Sequence, residues 1–200
     1  RMKIQIALFA YGGVVDEVMD ALLAEFQLLG QEGVEVEFTR ARDDALISRS
    51  RSVIASEFAT GDADVLAMVD RDVAWAPGDL LGLARGTIER NAIAAGIYPI
   101  RHPVANRAKF NIRFASDDDL AKVKIGEDAW LPVRYASAGF LAISRKAIQR
   151  VIAYGRELPG ELGVRACATE NGVEFFDLFL SFSLCISFTI RRPLLWLYNN

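Results

Sequence analysis

Residues 4–10 form an apolar-rich run that stops at Tyr11-Gly12-Gly13. Bounded in this way, the run predicts a buried strand followed by a tight loop. Over residues 14–30 the apolar positions Val15, Val18, Met19, Leu22, Leu23, Phe26 and Leu29 recur at helical spacing, and Gly30 and Gly33 stop the pattern. Residues 34–39 alternate apolar and polar as a second strand does. Residues 43–60 predict a second helix with Leu46, Ile47, Ile54 and Phe58 on one side, ended by Gly61. A third strand follows over 63–69. Pro77 then opens a helix reaching about Arg90, because proline is tolerated in a first turn. Residues 92–97 give a fourth strand, ending at Tyr98-Pro99.

Strands alternating with helices imply right-handed crossovers and a mostly parallel sheet, hence an α/β chain with helices on both faces. Ligands on such sheets bind beyond the carboxyl ends of the strands. The Gly12-Gly13 loop, Asp70/Asp72 and Tyr98–Arg101 all fall on that edge. After Arg101 the pattern changes: residues 109–115 and 131–136 read as strands around a polar loop holding Asp117, Asp118 and Asp119. Residues 138–144 read as a small-residue strand followed by a helix over 145–154. Residues 175–190 carry a single charge, Asp177, and at sixteen residues fall short of the roughly 20 that a membrane helix needs. A buried strand pair is expected there, with a membrane-associated tail, or a truncated or frame-shifted end foreign to the ancestral fold, as the alternatives. The whole reads as one domain over 1–200, with a first half (1–101), a mixed α+β second half (102–174) and an apolar tail (175–200).

The 200 residues, 52% of them hydrophobic, suit one well-packed domain. A formal charge of -3 and a pI near 5.3 speak against nucleic acid as a partner. Cys167 and Cys185 form no CxxC and join no histidine, so neither a zinc site nor a disulfide framework is expected, and a reducing cytoplasmic setting is the default. The chain runs directly into strand-like sequence, so no signal peptide and no integral membrane span are expected.

The chemistry concentrates in Val65-Leu-Ala-Met-Val-Asp70-Arg-Asp72. In an extended segment alternate side chains share a face, so Asp70 and Asp72 are expected to point together and Arg71 away. Two adjacent carboxylates repel, and a hard divalent cation relieves that repulsion. A cation held there in turn attracts an anion such as a diphosphate. Gly12-Gly13 lacks the GxGxxG spacing, which argues against a dinucleotide site. His102, between Arg101 and Pro103, reads as a loop residue; Trp75 reads equally as sheet-edge packing or as a sugar-stacking platform.

These segments, in this order, resemble the GT-A fold glycosyltransferases of the nucleotide-diphospho-sugar transferase superfamily, family 2-like. The match spans about residues 3–150. Residues 46–58 resemble the helix that carries an Ala-Arg-Asn motif, Val65–Asp72 the strand and DxD, and 76–81 the helix start after it. Residues 94–101 resemble the strand leading into the acceptor half, and 136–145 the Gly-Phe strand beginning at Gly139. The resemblance implies a Rossmann-like sheet and transfer of a sugar from a UDP- or GDP-sugar to an acceptor. It implies Mn²⁺ or Mg²⁺ on Asp72, with Asp70 meeting the ribose or the metal through water. Tyr11 and Gly12 would border the nucleotide, Arg51 would meet base or phosphate, and Gly139 would line the ligand site. Ser52 stands where the family has Asn. Glu174-Phe-Phe-Asp177 matches the family's Phe-Asp piece, but no Glu-Asp pair follows, so Asp177 and Glu170 are the carboxylates available for catalysis.

Two other functions fit parts of the pattern. A haloacid dehalogenase-type phosphatase also uses a strand ending in DxD, normally the first strand. A degenerate or truncated nucleotide-sugar-binding protein without turnover fits the missing Glu-Asp pair. A nucleotidyltransferase shares the sheet but needs a Gly-rich, Arg/Lys-bearing loop after Ala10.

Overall fold

The structure is a computed structural model, and it describes residues 1–42, 46–100, 109–113, 130–133, 135–157, 166–168, 174–179 and 188–191. The first half alternates strictly: β1 (Lys3–Ala10), α1 (Asp16–Gln31), β2 (Glu35–Arg42), α2 (Ile47–Thr60), β3 (Val65–Asp70), α3 (Asp79–Arg90) and β4 (Ile93–Gly96). The second half has short strands: β5 (Pro99–Ile100), β6 (Lys109–Phe110), β7 (Ile112–Arg113), β8 (Trp130–Val133) and β9 (Tyr135–Ala136). Then come β10 (Phe140–Ser144), α4 (Arg145–Glu157), β11 (Ala166–Ala168), β12 (Glu174–Phe176) and β13 (Phe188–Arg191).

Seven strands form the central sheet in the order β2-β1-β3-β10-β4-β13-β8. Five of the seven run in one direction, and β10 and β8 run against them. The sheet is thus mixed and mostly parallel, as the alternation predicts. β1 and β3 are apolar along nearly their whole length because both their faces are covered. α1 and α3 cover one face, where Val18, Leu22, Leu29, Leu80 and Leu83 pack on Ile4, Ile6, Leu8 and Val65. α2 and α4 cover the other, where Ile54, Phe58, Ile148 and Ile152 pack on Ala7, Phe9, Leu66 and Met68. Burying each such large side chain stabilises the fold by about 1.5–3 kcal/mol.

A carboxylate sits inside the first of these layers. Glu25 of α1 is 0% exposed. It accepts hydrogen bonds from the backbone N–H groups of Gly78 (2.8 Å) and Leu81 (2.9 Å) and from the Trp75 indole (3.2 Å). Glu25 thereby satisfies orphan donors at the start of α3 and places negative charge at the positive end of that helix. It also fixes where α3 begins. The helix starts at Asp79, two residues after Pro77, because Gly78 takes a left-handed φ of 90° that ends the turn before it. Trp75 is buried and stacks on Phe140 at 5.2 Å, so its role is packing.

On the opposite face the anchors are hydroxyls. Ser56 Oγ accepts from Phe176 N–H (2.8 Å), and Ser52 Oγ accepts from Leu178 N–H and Phe179 N–H (both 3.1 Å). Two serines of α2 thus hold the end of β12 and the chain after it. The expected strand over 109–115 is broken at the buried Asn111, which separates β6 from β7 and gives each a different partner strand. The apolar tail supplies two strands that do not pair with each other: β12 pairs with β11, while β13 enters the central sheet between β4 and β8. Among the described residues no helix is long and apolar enough to cross a membrane.

Candidate functional site at the carboxyl edge of the sheet

The reversed strand β10 builds this site. Because β10 runs antiparallel to β3, its first residues lie where β3 ends. Phe140 pairs with Val69, and Asp70 N–H donates to Gly139 C=O at 2.9 Å. A Cβ on Gly139 would stand 2.2 Å from the Tyr98 hydroxyl oxygen and 3.0 Å from Asp70 Oδ2. Only glycine lets these two side chains close over the backbone at this point.

Asp70 is the last residue of β3. The expected extension of the strand through Asp72 does not occur: Arg71 and Asp72 form a turn, with Val73 N–H donating to Asp70 C=O at 3.3 Å. Partner strand β1 ends its ladder with Asp70 opposite Phe9, so no pairing remains to hold Asp72 extended. The Arg71 side chain turns to the loop after β1. Its Nη1 donates to the carbonyls of Tyr11 (2.9 Å) and Gly13 (3.0 Å), and its own carbonyl accepts from Val15 N–H. Arg71 therefore ties the loop after β1 to the turn that carries Asp72. Gly12 takes a φ of 84° in that loop, and Tyr11 is 65% exposed on the edge. Asp72 is exposed as well.

Arg51 reaches this edge from α2. Its Nη2 donates to Asp70 Oδ1 at 2.5 Å, and its guanidinium lies 5.4 Å from the centre of the Phe9 ring. Burial raises the Asp70 carboxyl above its ordinary value; Arg51 opposes that shift and Asp72 reinforces it. The Tyr98 hydroxyl shares a 2.5 Å hydrogen bond with Ser137 Oγ. Burial raises the Tyr98 phenol above its usual 10, so it keeps its proton at neutral pH. Asn111 fixes Tyr98: its Oδ1 accepts from Tyr98 N–H (2.9 Å), and its Nδ2 donates to Gly96 C=O (3.0 Å).

The structure thus gathers Tyr11, Gly12, Arg51, Asp70, Asp72 and Gly139 at one edge. Asp177 is 6% exposed, on the segment tied to Ser52 and Ser56 of α2. Glu170, Arg101, His102 and Asp117–Asp119 lie outside the described residues. Sequence reasoning missed Ser137 and Asn111. Asn111 had a readable signal, a polar amide inside an otherwise strand-like run. Ser137 had none, since its partner lies 39 residues away.

Among the described residues no three His, Cys, Asp or Glu side chains cluster to hold a metal. Asp70 and Asp72 are close enough to interact electrostatically. A pair of carboxylates suits a hard cation that keeps waters and takes its other ligands from phosphate oxygens, as magnesium sites do.

No protein-family model matches this chain, and neither does any curated protein. Solved structures do. A197 from STIV superposes with a TM-score of 0.57 at 15% identity, covering 94% of this chain and 81% of that one. GalNAc-T7 with UDP, GalNAc and Mn²⁺ gives 0.41 at 14% identity, over 100% of this chain and 46% of that one. The 4-diphosphocytidyl-2C-methyl-D-erythritol synthase from Anaerococcus prevotii DSM 20548 gives 0.36 at 9% identity, over 80% and 78%. The likeness to A197 is one of fold: a Rossmann-like α/β sheet flanked by helices.

Proposed function

We propose that this chain binds a nucleotide-diphosphate sugar, UDP- or GDP-linked, and transfers its sugar to an acceptor. The convergence of Asp70, Arg51 and the Tyr11–Gly13 loop at the carboxyl ends of β1 and β3 carries this proposal. Asp72, with Asp70 beside it, would hold Mn²⁺ or Mg²⁺ together with the donor's diphosphate. When bound, that cation neutralises charge building on the leaving diphosphate. Asp70 keeps one oxygen on Arg51, so its part is to orient that arginine and meet the ribose or a metal-bound water. Tyr11 and Gly12 border the nucleotide. Tyr98 and Gly139 wall the side of Asp70 that faces the second half. Asp177 and Glu170 are the carboxylates offered for taking the acceptor's proton.

Calorimetric titration with UDP and with GDP, each with and without Mn²⁺, tests this function. Mn²⁺ is expected to strengthen binding, and Asp72→Ala to remove that gain. Nucleotide binding that ignores both Mn²⁺ and Asp72→Ala sinks the metal assignment.

The burial of Asp177 favours a second function, nucleotide-sugar binding without turnover, because a general base must reach the acceptor. Donor binding with neither hydrolysis nor transfer would establish that alternative. Phosphatase chemistry fits less well. Its nucleophile would be Asp70, whose Oδ1 is held by Arg51, and the motif lies on the third strand of the chain rather than the first.

A further inference from the structure

Two buried donors among the described side chains lack any hydrogen-bond partner: Nε of Arg40 and Nε of Arg51. Such groups are rare in folded proteins, and each calls for an explanation. Both belong to arginines at the carboxyl edge of β1. Arg40 lies beside Leu8 in the ladder between β1 and β2, and its Nη2 reaches Gly12 C=O at a long 3.4 Å. Arg51 lies over Phe9. Leu8 and Phe9 belong to the cores on opposite faces of the sheet. The two guanidiniums therefore flank the same strand end from its two sides, just below the Tyr11–Gly13 loop. Arg71, another arginine at this edge, differs: it spends Nη1 on two loop carbonyls at 2.9 and 3.0 Å and serves the loop itself.

Resting on the nucleotide-sugar function proposed above, we infer that Arg40 and Arg51 form a clamp for the donor's diphosphate. Each keeps one buried donor unmet. A small turn of the Arg40 guanidinium exchanges an unmet Nε–H and a stretched contact for phosphate oxygens, which arginine forks match well, while Arg51 keeps Nη2 on Asp70 and offers the rest of its fork. The clamp meets charge that a divalent cation alone would otherwise meet. A nucleotide diphosphate accordingly binds without metal, and the cation at Asp72 adds to this binding rather than permitting it.

The test is calorimetry on the full chain in EDTA with UDP, GDP and inorganic pyrophosphate as probes. At least one of UDP and GDP is expected to bind in EDTA, pyrophosphate to compete with it, and added salt to weaken it, because the attraction is between charges. Arg40→Gln is expected to weaken that binding roughly tenfold, the scale of one charge-assisted hydrogen bond, with Arg40→Lys retaining part of it. The salt series on the unaltered chain keeps the test valid if Arg40→Gln unfolds. Binding in EDTA that ignores salt, or that resists pyrophosphate, overturns the clamp. Binding in Mn²⁺ but not in EDTA overturns the clamp and leaves the transferase function standing. No binding of either nucleotide under any condition overturns both.

Discussion

The two faces of the sheet are fastened by different chemistry. On the α1/α3 face a fully buried carboxylate, Glu25, gathers three N–H donors. On the α2/α4 face two hydroxyls, Ser52 and Ser56, take three backbone N–H groups between them. The donor counts are equal, but the charges differ. The carboxylate anchor holds the segment that follows Asp72. The hydroxyl anchors hold the segment that contains Asp177. Hydrogen bonds to a charged group are roughly twice as strong as neutral ones, and leaving buried donors unmet costs the full desolvation penalty. The segment that follows the Asp70-Arg71-Asp72 turn is thus locked more firmly than the segment that carries the candidate base. Such a difference suits a site in which donor binding must be preorganised while the acceptor side adapts.

The largest test of this contrast is Glu25→Ala. It leaves three buried donors without an acceptor and is expected to cost about 3–5 kcal/mol in urea unfolding. A loss below about 1 kcal/mol would mean that water replaces the carboxylate and that the two faces are equivalent. Next comes Gly139→Ala, where the new Cβ collides with the Tyr98 hydroxyl and the loss is expected to be about 2–3 kcal/mol. Removing that hydroxyl should relieve the collision, so Gly139→Ala made in Tyr98→Phe is expected to cost clearly less than in the native chain. Strict additivity in this double-mutant cycle would contradict the close approach. Ser52→Ala is expected to cost about 1–2 kcal/mol, below Glu25→Ala, because its donors lose a neutral acceptor. If it cost as much, charge would not be what separates the faces.

The smallest effect concerns Asp70, a carboxylate like Glu25 but held by one arginine in place of three N–H groups. Burial lifts its folded value above 3.8, so between 3.8 and that raised value the folded chain keeps a proton that the unfolded chain has released. The Asp70 contribution to stability is therefore present at low pH and lost as pH rises through this window. Asn has nearly the same shape and does not titrate. The native chain should lose stability relative to Asp70→Asn as pH climbs from about 3.8, and the difference should then level off. A native chain that gains on the variant over that range would show that Arg51 outweighs desolvation.

The strand–helix alternation and the position of Asp70 were legible because each rests on local pattern: apolar runs, helical spacing and glycine stops. Glu25 was legible and overlooked, since it sits in the series Val18, Leu22, Glu25, Leu29 at core spacing. A charge in that series marks a buried carboxylate in need of donors. The turn at Asp72 was not legible, because alternation says nothing about where the partner strand stops supplying hydrogen bonds. Ser52 and Ser56 look like ordinary solvent-facing helix serines until the chain 120 residues later arrives on them. The Tyr98–Ser137 pair is likewise a product of topology, created by the insertion of β10.

That insertion has a consequence for how the molecule assembles. β1, β2 and β3 pair with one another within the first 70 residues, while β10 slots between β3 and β4 only after the intervening stretch has been made. Contacts across long chain separations form slowly, since loop closure must precede their gain. A nascent chain ending near residue 100 would hold β3 and β4 with the gap between them unfilled, and with Asp70 still lacking Gly139 and the Ser137 partner of Tyr98. The site is thus completed late, by the same strand that closes the sheet. Variants that slow the pairing of β10 should prolong the lifetime of an intermediate with two exposed strand edges, and aggregation during folding should rise before native stability falls.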